Sequence, residues 1–480
     1  MDLEKRARRQ SIKVIISEIF MVLVVIITVA VLAFVVSGYW VGSDFKVERQ
    51  GMLQIYSTPT GASVAVDGDA PWYQRTNTSK VVASGEHTIK LAKDGYDSWS
   101  KTVNVGEGLL YRLHYPRLFP LKKSQEAAYK LPDNITISTI SPDRNHLLLL
   151  NNTLTWTLLS LDSETIEVKK IDLSTVFSTP ASEILATEWD RDNNHLLIKT
   201  KSTDDIEWIL LDVRSPKNSI NLTREFAANF TEIKILDNSA SNLLAVRNGN
   251  LHKIDVSGRQ ISAILVSEVY SYDYFGNDIV YSRFVTPTTV VTDNTTENNT
   301  TENTTADSLP LSTPSYEIGT FHLGDSAPKV LATFPLPTRV LISQFYDDKY
   351  ITTVSENSVK VYRKDSFEEV IEKTTSFIPS VIKVGHNGEF ISLISGEKFA
   401  TLDMESASLR EWQIDSSDYG WLDSDMLYSI KDDGLIVYDY DGLNRREIIS
   451  GVTANFPVTI TANKWLYFRF GSSLARLNLE

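Results

Sequence analysis

The chain has 480 residues, no cysteine, 47 basic and 61 acidic side chains, and a formal charge of −14. That acidity argues against nucleic-acid binding and against adhesion to anionic lipid. The lack of cysteine excludes a disulfide framework, a thiolate metal site and a cysteine nucleophile, and in an exported protein it fits a prokaryotic envelope.

Residues 1–13 carry five basic and two acidic side chains. Residues 14–36 then read VIISEIFMVLVVIITVAVLAFVV, interrupted only by Ser17, Glu18 and Thr28. A helix of this length, at about 1.5 Å per residue, reaches roughly 34 Å and spans a bilayer core. The following flank balances Asp44 and Glu48 against Lys46 and Arg49, so the charge bias puts the N-terminus in the cytoplasm and everything after Gly38 outside. Tyr39 and Trp40 fall where interfacial aromatics are expected. The apolar run is longer than a signal-peptide core and lacks a good cleavage site, which predicts an uncleaved signal anchor in the cell membrane. Residues 1–13 are then a cytoplasmic tail, and the 444 residues after position 36 are extracytoplasmic and too many for one ordinary domain.

From Gly51 to Tyr115 short runs alternate with period two: Leu53 and Ile55, Val64 and Val66, Ile89 and Leu91, Val103 and Val105. Turn chemistry separates them at Pro59-Thr60-Gly61, Asp67-Gly68, Ser84-Gly85 and Asp94-Gly95. The pattern predicts a small antiparallel β module over 51–115. Within it, GMLQIYSTPTGASVAVDG (Gly51–Gly68) and SGEHTIKLAKDGYDSWSKTVNV (Ser84–Val105) resemble the PEGA domain family. The four eponymous positions are Pro59-Thr60-Gly61-Ala62, the Gly-x-His of the hairpin is Gly85-Glu86-His87, and the Gly-Tyr pair is Gly95-Tyr96. The chain departs from the family pattern after the Asp-Gly turn, where Thr-Pro has become Thr76-Asn77 and the preceding loop carries Trp72 and Tyr73. The resemblance implies a β-sandwich-like module of surface and envelope proteins with an adhesive role.

Trp72, Tyr73, Tyr96 and Trp99 are the candidate ligand-binding residues, as an aromatic platform for a sugar ring. His87 reads as a strand residue satisfied by a nearby turn. Tyr115-Pro116-Arg117-Leu118-Phe119-Pro120, with prolines on both sides of a short apolar stretch, opens a stiff docking connector over 116–124.

From residue 125 to 480 a pattern recurs: a polar turn, an apolar strand, a tight turn, another strand, then a charged strand. Examples are Ser141-Pro142-Asp143-Arg144-Asn145-His146 before Leu147, and Asp190-Arg191-Asp192-Asn193-Asn194-His195 before Leu196. The markers Leu147, Leu196, Leu243, Ile279, Ile351, Ile391, Leu427 and Leu466 are spaced 49, 47, 36, 72, 40, 36 and 39 residues apart. A multi-strand repeat near this period predicts a β-propeller. Its Ser-Pro-Asp turn resembles exported bacterial-type propellers rather than the Trp-Asp repeat family, whose Trp189-Asp190 and Gly385-His386 elements each occur once. Eight blades are expected, with seven as the alternative. Gln125–Leu131 resembles the outer strands Glu368–Lys373 and Leu409–Ile414, so it can supply the missing outer strand of the short last unit.

The long spacing holds a low-complexity insertion, about 286–314, that cannot bury enough apolar surface to order itself. Asn294, Asn298, Asn299 and Asn303 in it begin Asn-x-Thr triplets, read as unmodified in a bacterium. No nucleophile elbow, phosphate loop, His-Glu-x-x-His or calcium loop occurs. His146 and His195 occupy equivalent repeat positions and read as turn residues. The expectation is therefore an all-β ectodomain, PEGA-like module plus propeller, behind one transmembrane helix. It is read as a non-catalytic binding or scaffold protein for cell-wall or surface-layer glycan or an envelope protein, with no cofactor, metal or nucleic acid. The alternative is an extracytoplasmic propeller hydrolase acting on envelope glycan or peptide.

Overall fold

The computed structural model describes residues 18–33, 39–41, 47–151, 155–162, 164–177, 183–202, 205–236, 240–286, 314–325, 327–385 and 388–480. The chain divides into two compact units with the boundary after Lys122.

Residues 18–33 form a helix whose apolar side chains, from Ile19 to Leu32, are exposed on every face. Its hydroxyl is satisfied internally, since Thr28 Oγ1 donates to Val24 O at 2.8 Å. Among the described residues no helix is long and apolar enough to cross a membrane. The rest of the expected 14–36 span and the 1–13 tail lie outside the described residues.

The first unit holds two sheets. In one, Val47–Ile55 pairs with Tyr39–Val41, Thr78–Ala83 and Leu110–Leu113. In the other, Gly85–Ala92 lies between Ser63–Val66 and Trp99–Val105. The period-two residues face inward as expected: Leu53, Ile55, Val64, Val66, Ile89, Leu91, Val103 and Val105 are all buried. One pairing departs from the antiparallel expectation, because Leu110–Leu113 runs parallel to Val47–Ile55. The Asp67-Gly68 turn is tight for the reason its sequence gives: both residues take positive φ, +54° and +85°, as the two-residue hairpin turn requires. The Thr58–Pro59 and Thr76–Asn77 peptides are cis.

The stretch expected to open a connector packs instead as part of this unit. Residues 115–120 are buried. Leu118 N donates to Thr58 O at 2.8 Å, Phe119 N to Asp97 Oδ1 at 2.7 Å, and Leu121 N to Gly95 O at 2.9 Å. Prolines bracket the segment because its backbone pairs only in part, and Leu118 and Phe119 supply the apolar anchor.

The second unit is a β-propeller. Among the described residues it contains eight four-stranded antiparallel sheets, following one another along the chain at 135–172, 183–221, 232–261, 269–334, 338–374, 381–413, 419–449 and 459–478. The eighth completes itself from the start of the unit: Gln125–Lys130 pairs with Ser473–Asn478 as the fourth strand. All eight marker residues lie on the second strand of their sheet and all are buried. Second strands read as continuous apolar runs, such as Leu147–Leu150, because neighbouring sheets cover both faces. Fourth strands such as Glu167–Asp172 are largely exposed, which accounts for their charge.

Packing joins consecutive sheets in a circuit. Leu148 and Trp156 share a core with Leu196 and Ile209, and Leu197 shares one with Leu243. The sequence continues through Leu244 with Ile279, Val280 with Ile342, Val354 with Leu393, and Phe399 with Leu427. Val458 N donates to Tyr428 OH at 3.2 Å between the seventh and eighth sheets. Leu131, Leu147, Leu159, Tyr467 and Leu474 form the core that unites the eighth with the first. The expected insertion falls on residues 287–313, outside the described residues, together with its Asn-x-Thr triplets.

Candidate functional site

Two places in the described residues concentrate groups that the fold itself does not use: an aromatic loop on the first unit, and the axis of the propeller.

The loop carrying Trp72 and Tyr73 is stapled at its base. Gln74 N donates to Pro71 O at 3.0 Å and closes a turn around the two aromatics. Val64 N donates to Gln74 O, Thr76 N to Ala62 O, and Gly61 N to Thr76 O. Thr76 Oγ1 lies 2.7 Å from Ser57 Oγ and accepts from Ala62 N, and Arg75 Nη1 donates to Gly61 O at 3.1 Å. On this base Trp72 is 87% exposed and Tyr73 70% exposed. Their rings meet edge to face, with centroids 5.8 Å apart and planes at 90°, so each keeps a face that the other does not cover.

The other two members of the expected platform are elsewhere. Trp99 is fully buried, with its ring edge to face with Tyr115 at 6.0 Å. It is a core residue because Trp99–Val105 alternates strictly and position 99 starts the inward set. Tyr96 is half-buried, with Lys93 Nζ 5.3 Å above its ring. Of the four candidate residues, Trp72 and Tyr73 are the exposed pair.

His87 is where the turn reading puts it. Its Nδ1 lies 2.6 Å from Asp67 Oδ2 and its Nε2 2.7 Å from Ala83 O. The His87 hydrogen bond and the Thr88 N–H hold the Asp67 carboxyl below its ordinary value. The histidine of the second sheet's repeat turn is likewise an internal fastener. His195 Nδ1 is 2.9 Å from Asp190 Oδ2, while Asn194 N donates to Asp190 Oδ1. In the equivalent turn Ser141 Oγ and Asn145 N both donate to Asp143 Oδ1. There the hydrogen bonds outweigh burial, and the Asp143 carboxyl falls to about 2.

The propeller axis is identified by contacts that skip a sheet. Arg191, in the first turn of the second sheet, lies over the rings of Tyr274 and Phe275 in the fourth, at 5.5 and 4.9 Å. Arg144, in the first turn of the first sheet, donates from Nη1 to Trp421 O in the seventh at 2.9 Å. The first strands of the sheets and the turns that follow them therefore converge on the axis. They carry an uneven charge. Glu188, Glu232, Lys234 and Asp273 gather on the first strands of the second, third and fourth sheets. Lys234 Nζ lies 3.5 Å from Asp273 and 3.7 Å from Glu232. These carboxylates raise the Lys234 ammonium above the usual lysine range against the opposing effect of burial. Surrounding protein, with Glu232 and Asp273 nearby, pushes the Glu188 carboxyl up, while Lys234 opposes it. On the far side of the ring Arg144 and Lys383 are both pushed below their ordinary values, chiefly because surrounding protein displaces water, although part of the Lys383 side chain stays open to solvent.

Sequence reasoning read Arg144 as a turn residue and passed over Glu188, Lys234, Asp273 and Lys383. Their shared signal is a charged residue two or three positions before the polar turn of a repeat, on a strand that should otherwise be half apolar. Among the described residues there is no group of three or more His, Cys, Asp or Glu placed to hold a metal ion.

Residues 50–117 match the PEGA domain. No curated protein matches the chain. Among solved structures the chain is similar to Porphyromonas gingivalis dipeptidyl peptidase 4, at 11% identity over 71% of this chain and 56% of that one, with a TM-score of 0.43. It is similar to the β-propeller domain of Myceliophteria thermophila Cps50 (Swd1), at 8% identity over 75% and 99%, TM-score 0.37. It is also similar to the computationally designed Ika8 protein, at 10% identity over 74% and 100%, TM-score 0.44. The chain spans little more than half the length of the peptidase.

Proposed function

We propose that the protein is a non-catalytic binding protein of the cell envelope, held to the membrane by its N-terminal helix, whose PEGA module grips cell-wall or surface-layer glycan. The observation that carries this reading is the Trp72–Tyr73 pair. A tryptophan in a folded domain is usually well buried, yet Trp72 is 87% exposed on a loop whose base is hydrogen-bonded on both sides. Holding two open aromatic faces in water gives the module no core. It does present a rigid surface for the C–H face of a sugar ring, with little entropy left to lose on binding. The propeller serves as a second, independent binding body.

Membrane anchoring rests on the helix at 18–33, whose apolar side chains cover its whole circumference. Such a helix has no stable exposed state in water. The five basic side chains before it favour a cytoplasmic N-terminus. The test is saturable pelleting of the purified full chain, kept in detergent, with isolated insoluble envelope glycan. Failure to pellet removes the glycan-binding reading.

A further inference from the structure

We propose that the axis of the propeller holds an oxyanion site, where Arg144, Lys383 and the Ser392 hydroxyl receive a carboxylate or phosphate group of a ligand. This is independent of the glycan reading, which concerns the other unit.

Three separate pieces of geometry converge on this place. Arg144 leaves its turn with φ +66° and reaches past the eighth sheet to Trp421 O at the end of strand Tyr419–Trp421. Strand Val381–Val384 of the sixth sheet runs to the same spot. A Cβ built on Gly385, just past its end, would lie 3.6 Å from Ser424 O, three residues beyond Trp421. Lys383 is two residues before Gly385, so it shares that face of the extended chain. Across the ladder Lys383 pairs with Ser392, which is 1% exposed and whose Oγ has no hydrogen-bond partner. The opposite face of this sheet, with Ile382, Val384, Ile391 and Leu393, is spent on the apolar core against the fifth sheet.

The carboxylate that acts on Arg144 here is Asp423. Among the described residues Lys383 has no hydrogen-bond or ion-pair partner, although it remains open to solvent. The surrounding protein and then the like charge of its neighbour Arg144 depress the Lys383 ammonium. Asp423 offsets part of the Arg144 charge. Its Oδ1 accepts from Asp425 N and Met426 N within its own turn, and this single carboxylate stands against two basic side chains, Arg144 and Lys383. Two like charges placed together, beside a buried hydroxyl without a partner, are unfavourable in isolation. An oxyanion relieves all three: it neutralises the excess charge, takes Lys and Arg donors in charge-assisted hydrogen bonds, and accepts from Ser392.

The experiment is a titration of the full chain in detergent with sodium phosphate, and in a parallel arm with sodium acetate, at fixed ionic strength made up with sodium chloride. Binding is read by calorimetry and by the shift in melting temperature. Saturable binding in the phosphate arm, the acetate arm or both is expected, and the arm that saturates identifies the oxyanion. Lys383→Met should weaken it by about ten-fold or more, Lys383→Arg should restore most of it, and Ser392→Ala should weaken it without changing the charge. Lys383 is open to solvent, so its variants retain the fold, which the melting transition without added anion checks. The proposal is overturned if neither anion binds saturably, or if Lys383→Met binds the anion as well as the parent does.

Discussion

Asp278 accepts a hydrogen bond from Lys349 at 2.5 Å across the junction of the fourth and fifth sheets. The same carboxylate lies 3.0 Å from Lys364 Nζ and 3.1 Å from His322 Nδ1, and its side chain is only 9% exposed. These three partners outweigh the desolvation and hold Asp278 at about 2, against an ordinary value of 3.8. A depressed folded value means that ionised Asp278 contributes stability fully above about pH 4, and the contribution is lost as pH falls towards 2. Asp278→Asn should lower unfolding free energy by about 3 kcal/mol at neutral pH, because it leaves two lysines facing a neutral amide. Denaturant melts between pH 2 and 7 check this: the parent should lose stability below pH 4 more steeply than the variant.

Glu188 gives the opposite sign. Its carboxyl is raised in the folded state, so ionisation costs more there than in the unfolded chain, and the penalty grows as pH rises through the carboxylate range. Glu188→Gln should therefore melt at a higher temperature than the parent at pH 7, and the two curves should meet as pH falls below 4. Equal melting temperatures across that range would contradict a cost of ionising Glu188 in the folded protein, where desolvation is the main cause.

Closure of the ring is local to a few residues. Leu131, just after the strand Gln125–Lys130, is 3% exposed and packs with Leu147, Leu149, Phe456 and Leu474. Leu131→Ala should cost about 3 kcal/mol of propeller stability. Glu126→Ala, which removes only the partly exposed pair with Arg476, should cost under about 1 kcal/mol. Comparing the two in one urea series separates core closure from the surface ion pair.

Trp99 and Trp72 should part company on mutation. Trp99→Ala removes a fully buried ring and should destabilise the first unit by about 4 kcal/mol. Trp72→Ala, on an exposed loop, should stay within about 0.5 kcal/mol of the parent. Differential scanning calorimetry of both variants checks the pair.

Much of the architecture was legible because it rests on local pattern. Period-two alternation placed the inward residues of the module, and Asp67-Gly68 announced its own positive-φ turn. The eight markers fell on equivalent strands because apolar runs covered on both faces leave a strong periodic signal. Even the closing strand Gln125–Lys130 was readable, since an outer strand keeps its charged character wherever it lies in the chain. Side-chain facing was not legible where it depended on neighbours. Trp99 and Trp72 look alike in sequence, and only the register of Trp99 on an alternating strand sends it to the core. Pro116–Pro120 resembled a connector because its partners Thr58, Gly95 and Asp97 lie far back along the chain. The axial charges were missed for the same reason: Arg144 and Trp421 are brought together by ring closure, which no local pattern encodes.

The measurement that bears most directly on the proposed function is pelleting of the full chain with insoluble envelope glycan, run beside a Trp72→Ala/Tyr73→Ala variant of matched melting temperature. The account requires saturable pelleting of the parent and a loss of about ten-fold or more in apparent affinity for the variant. Equal pelleting of both, or none of the parent, would contradict it.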